Sequence, residues 1–136
     1  MQDTIMLDGR KFTGMLHTPF VETQIDYVLA HLRLAGAVEI FNDLDGIQRT
    51  KEQRPEDLLT QILLSGRTHH ILAGILTEEG KVWSRAAADA NAARFAAITD
   101  PEEKKTMHPF LRDFLLLVGG PDGTACEIVR KMREAN

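Results

Sequence analysis

The sequence predicts a mainly α protein, a compact bundle of six or seven short helices with a small N-terminal β-hairpin. Three observations carry that expectation. Apolar residues recur at helical spacing from Phe20 onward, helix caps and stops punctuate the same stretch, and only residues 5–12 read as strand. The 136 residues are of single-domain size, since domains run to roughly 100–200 residues, and no linker, repeat or low-complexity tract divides them. The expected organisation is one domain over 1–136, with a hairpin arm at 1–16 and a helical body at 18–136.

The hairpin is Ile5-Met6-Leu7, a turn at Asp8-Gly9, and Arg10-Lys11-Phe12. Asp-Gly suits a type I′ turn, whose two central residues both need positive φ. A lone two-stranded hairpin is marginal in water, so this one must dock on the body or pair with another chain.

The helical body opens at Thr18-Pro19, a cap followed by a residue whose φ is already helical. Phe20, Val21, Ile25, Val28, Leu29 and Leu32 make its apolar face, and Gly36 is placed to end it with positive φ. A short helix is expected over Val38 to Leu44, stopped by Asp45-Gly46, and the polar stretch Ile47 to Arg54 reads as the longest loop. Pro55 starts the next helix, with Glu56 and Asp57 where the helix dipole favours acids. Its apolar face (Leu58, Leu59, Ile62, Leu63, Leu64) is interrupted by Ser65-Gly66 and resumes at Ile71, Leu72, Ile75 and Leu76. One kinked helix and two helices joined by a tight turn both fit that interruption.

Ser84 caps an alanine-rich helix running to about Ile98, its small side chains permitting close approach by a neighbour. Asp100-Pro101-Glu102-Glu103 starts another, with Asp100 as cap and Glu103 able to return a bond. Pro109 should break or kink it, after which Phe110, Leu111, Phe114, Leu115 and Val118 form a second face. Thr124-Ala125-Cys126-Glu127 is a capping box for a last helix carrying Ile128, Val129 and Met132.

Composition narrows the function classes. Sixteen basic against 20 acidic residues give a net charge of −4, which argues against a nucleic-acid partner, since phosphate contacts call for a basic excess. A single Cys126 forms no intramolecular disulfide and fits a reducing compartment. No apolar run approaches the ~18 residues of a membrane span, and the start MQDTIMLDGRK has no signal-peptide stretch. The expectation is a cytoplasmic domain with no membrane partner.

Motifs that carry chemistry are missing or defective. Five histidines invite a metal, but His69 and His70 are adjacent and point roughly 100° apart on a helix, while His17, His31 and His108 belong to other elements. The segment Asn42-Asp43-Leu44-Asp45-Gly46 with Glu52 resembles a calcium loop, yet Phe41 stands where the first carboxylate belongs and Gln48 at the aliphatic eighth position. Ser65-Gly66-Arg67 is no nucleophile elbow. Gly119-Gly120-Pro121-Asp122-Gly123-Thr124 lacks the Lys of a phosphate loop and follows a helix. Arg49, Lys51 and Arg54 are balanced by Glu52, Glu56 and Asp57, as on a solvated loop. A general base at His31 or His70 has no partner visible in the sequence. The reading is therefore no catalytic, cofactor-binding or metal-ligating residue, no cofactor, and no enzyme.

Protein contact is what is left. The hairpin offers strand edges that template pairing with another chain. The run Ile5-Met6-Leu7-Asp8-Gly9-Arg10-Lys11-Phe12, the helices from Phe20, the block Ile71 to Lys81 and the Ala86–Ile98 helix together resemble small morphogenesis proteins of long-tailed bacteriophages and prophages. In particular the layout is similar to that of tail-assembly chaperones encoded beside the tape-measure protein, and it spans most of the chain. That resemblance implies a non-enzymatic role in tail assembly, binding a helical partner such as the tape-measure or another tail protein, and self-association as a homo-oligomer. The alternative reading is a small-ligand-binding or regulatory helical domain, with Tyr27, His31, His70 and Trp83 as the residues to line its pocket.

Overall fold

The computed structural model describes residues 4–15, 22–37 and 53–119. In chain order its elements are β1 (Thr4–Leu7), β2 (Arg10–Gly14), α1 (Glu22–Leu34), α2 (Gln53–Ser65), α3 (Thr68–Ile75), β3 (Leu76–Glu78), α4 (Arg85–Ala96) and α5 (Pro101–Gly119). The fold is mainly α with a small antiparallel sheet. Among the described residues there are five helices instead of six or seven. The expected helices at Val38–Leu44 and after Thr124, the cap at Thr18-Pro19 and the calcium-like segment lie outside the described residues.

The hairpin forms where its turn residues demand. Asp8 and Gly9 take φ of 55° and 71°, and the register runs Leu7 opposite Arg10, Met6 opposite Lys11, Ile5 opposite Phe12. The sheet, however, has three strands in the order β1-β2-β3. Leu76, Thr77 and Glu78 pair with Gly14, Thr13 and Phe12, where the sequence pattern carried α3 onward. Met15 N–H also donates to Ile75 O (2.8 Å), so the pairing begins at the end of α3 itself. The hairpin therefore docks on the body through both a third strand and its buried face of Ile5, Leu7 and Phe12.

The helices begin and end largely on local chemistry. Gly36 (φ 74°) closes α1, with Gly36 N–H donating to Arg33 O and Ala37 N–H to Leu32 O, the paired bonds of a Schellman stop. Gly66, at φ 76°, separates α2 from α3, which resolves that interruption as two helices. Ser84 Oγ accepts from Ala87 N–H (3.1 Å) and Asp100 Oδ1 from Glu102 N–H (2.9 Å), as capping requires. Pro109 neither breaks nor ends its helix: α5 is assigned as one helix through it. The cost of a proline there, about 3 kcal/mol, is outweighed by what its neighbours bury, with Met107, Phe110, Leu111 and Phe114 all in the core.

One apolar cluster joins every element. Phe12 of β2 meets Phe95 of α4 edge to face, with ring centroids 5.2 Å apart, and Gly14 lies under the Phe110 ring of α5. Helix α3 sits between α1 and α4. Its contact with α1 requires a glycine: a Cβ on Gly74 would stand 2.8 Å from Val28 Cγ2 and 3.0 Å from Tyr27 Cδ1. The same close approach lets Gln24, buried within α1, donate from Nε2 to Gly74 O (2.8 Å). Among the described residues no helix is long and apolar enough to cross a membrane.

Candidate functional site

Two surface features and one partly buried ring cluster concentrate the polar chemistry of the described residues. The first is the outer edge of the sheet. Lys11 carbonyl accepts from Glu79 N–H (2.9 Å), so the main chain of β2 at that residue faces the β3 side. Its partner across the hairpin is Met6, and in an antiparallel ladder the main-chain groups of such a pair point away from each other. The N–H and C=O of Met6 therefore point outward from β1. Met6 also lines a groove of about 360 Å³, together with Thr4, Ile5 and Lys11 of the hairpin and Glu102, Glu103 and Thr106 of α5. The Met6 side chain is half exposed at its rim.

Glu103 fixes the two walls of that groove together. The sequence reading has it returning a bond to its own helix start. Instead its carboxylate accepts from Asp8 N–H (2.6 Å) and Gly9 N–H (3.4 Å), gripping the hairpin turn from α5. The turn offers the carboxylate two N–H donors, where a capping box offers one.

The ring cluster contains the four residues singled out for a ligand pocket, Tyr27 and Trp83 buried and His31 and His70 partly so. Trp83, Tyr27, His31 and His70 stand in a continuous row of rings: Trp83 to Tyr27 5.5 Å, Tyr27 to His31 4.5 Å, and His31 to His70 4.8 Å with the last pair stacked at 26°. Sequence separations up to 56 residues are thus closed by α1, α3 and the segment before α4. The row is packed, however, and of the four only Trp83 lines the groove described next. Tyr27 Oη donates to Asp89 Oδ1 (2.8 Å); burial first and that acid second push its pKa up. Burial, His70 and Arg67 hold His31 below the ordinary histidine value, with Asp89 opposing. Its Nδ1 is buried and meets no hydrogen-bond partner among the described residues. His69 is lowered in the same way, by burial and then by His70 and His108. Among the described residues no group of three His, Cys, Asp or Glu could hold a metal ion.

Beside Trp83 a second groove, of about 280 Å³, opens between β3 and α4. Leu76, Trp83 and Ala88, all buried, contribute apolar lining, and Arg10, Glu78, Lys81, Asn91 and Arg94 supply the charged and polar groups. Glu78 Oε1 meets Arg10 Nη1 (3.2 Å) and Oε2 meets Lys81 Nζ (2.7 Å). Those cations, Lys81 foremost, hold its carboxyl below the usual range. Buried Asn91 accepts from Arg94 Nη1 (3.2 Å) through Oδ1. Trp83 Nε1 donates to Ala73 O (3.2 Å), which pins the indole in the wall. Sequence reasoning missed these polar residues, because nothing in the local pattern separates them from ordinary surface charges.

No protein-family model matches the chain, and comparison with curated proteins and with solved structures likewise finds no match.

Proposed function

We propose that this protein is a non-enzymatic interaction factor in assembly, which receives an extended segment of a partner protein along the outer edge of β1. The observation that carries the reading is the outward-facing main chain of Met6, a residue that also lines the groove between β1 and α5. Strand addition draws its affinity from main-chain hydrogen bonds and its selectivity from the side chains beside the added strand. Here Lys11, Glu102 and Glu103 supply both signs of charge along the groove. The resemblance to tail-assembly chaperones supports a tail protein, such as the tape-measure protein, as the partner. It also supports self-association, which the same edge would serve.

The test is Met6→Pro. Proline is tolerated on an edge strand where the N–H faces away from the ladder, so the fold survives while the outward donor disappears. The wild type is expected to self-associate by light scattering or to capture the co-expressed tail protein. Met6→Pro should lose that behaviour with its circular dichroism unchanged. A strictly monomeric wild type that captures no partner, or a proline variant that associates as before, would overturn the reading.

A further inference from the structure

The groove beside Trp83 has the make-up of a small-molecule site. Its charged lining holds three cations, Arg10, Lys81 and Arg94, against one carboxylate, Glu78, in a chain whose net charge is −4. Arg10 and Lys81 share Glu78, and among the described residues Arg94 meets no carboxylate, only the neutral Asn91 amide. A guanidinium has five donors in a fixed fork, so Arg94 retains donors for an anion after its one bond to Asn91. On the opposite count, α4 presents Ala87 and Ala88 to the groove, and it is their small size that leaves the space open.

We propose that this groove binds a small organic carboxylate with an apolar body, taking the carboxylate at Arg94 and Lys81 and the body against Val82 and the indole of Trp83. This goes beyond the protein-interaction reading and stands independently of it. Three observations select that class. The volume lies just below the range of roughly 300–1,000 Å³ usual for drug-sized ligands, which suits a single ring or a short chain. The exposed Val82 and the edge of the indole offer apolar area that an inorganic anion would leave unused. Glu78 stands in the same wall, so a dianion such as a phosphate meets repulsion that a carboxylate meets only half as strongly.

Trp83 is the only tryptophan in the chain and lies in the wall, so its fluorescence reports occupancy directly. Phenylacetate, phenylacetamide and inorganic phosphate are titrated against the full chain, and against Arg94→Gln and Ala87→Leu, each verified as folded by circular dichroism. Lys81→Gln, at an exposed side chain, replaces Arg94→Gln if the latter does not fold. Phenylacetate should give a saturable change that phenylacetamide and phosphate do not reproduce. Arg94→Gln should weaken it at least tenfold, and Ala87→Leu should abolish it by filling the groove. No saturable change, equal binding of the amide or of phosphate, or undiminished binding in both variants would each overturn the proposal.

Discussion

His31 shows how much a single side chain in this fold is constrained by its surroundings. It is stacked on His70, tilted against Tyr27, and its buried Nδ1 meets no partner among the described residues. Titratable groups act on it from two sides: Arg67 and His70 from α3 and its approach, Arg85 and Asp89 from α4. Burial dominates, so the folded protein binds a proton at His31 less readily than the unfolded chain does. The unfolded state then holds more protons below the ordinary histidine value of 6.5, and stability must fall as pH falls through that value. His69 adds to the same slope, for the same first reason. The carboxyl of Glu78 also loses its ion pairs on acidification, but only at pH values in or below the ordinary carboxylate range. Urea midpoints should therefore be flat above about pH 7 and decline from there toward pH 5. His31→Phe keeps the ring contacts without the titration, and should shallow that decline while leaving the midpoint at pH 8 unchanged or higher. A decline equally steep in the variant would place the acid sensitivity elsewhere.

Among the elements, α5 sets propensity against packing most openly. Pro109 gives up the bond its N–H would have donated and crowds the carbonyl one turn earlier. The helix persists because Met107 precedes it and Phe110, Leu111 and Phe114 follow it into the core. Since Pro109 itself is exposed, Pro109→Ala should recover part of the ~3 kcal/mol without disturbing packing, raising Tm by several degrees in calorimetry. An unchanged Tm would mean that the helix has already relaxed around the ring. The same contrast explains what was legible in the sequence. Asp8-Gly9, Gly36, Ser84 and Asp100 act on their immediate neighbours, and each stands where its local chemistry places it. Leu76-Thr77-Glu78 could not be read as a strand, because it continues the apolar pattern of α3 and becomes extended only by pairing with residues more than 60 positions earlier. The candidate sites divide likewise. A hairpin edge was visible in the two short arms around Asp8-Gly9, whereas the Trp83 groove joins Arg10, Glu78 and Arg94, which no local spacing connects.

At the scale of the molecule, the decisive fact is that the hairpin is not an appendage. The sequence left the hairpin either to dock on the body or to pair with another chain. Ile5, Leu7 and Phe12 lie in the same apolar cluster as the helices, β3 continues the sheet, and Glu103 holds the turn from α5. Phe12 is the hinge of this arrangement: it is buried, it meets Phe95 edge to face, and it pairs with both Ile5 and Glu78. Truncating a buried phenylalanine costs about 3–5 kcal/mol through lost transfer energy and the cavity left behind. Trp83 stands outside the hairpin, in the ring row formed with α1 and α3, so its fluorescence does not see Phe12 directly. If the chain folds as one cooperative unit, Phe12→Ala must nonetheless move the Trp83 transition. The expected result in urea is a single transition, coincident by tryptophan fluorescence and far-ultraviolet circular dichroism, displaced by about 3–5 kcal/mol in Phe12→Ala on both signals. A separable arm would give a different outcome: the Trp83 midpoint would stay where it is in the wild type while only strand signal was lost. Cooperativity of this kind also bears on the proposed function, because a strand edge ordered by the whole core would offer its main-chain groups to a partner without first having to order them.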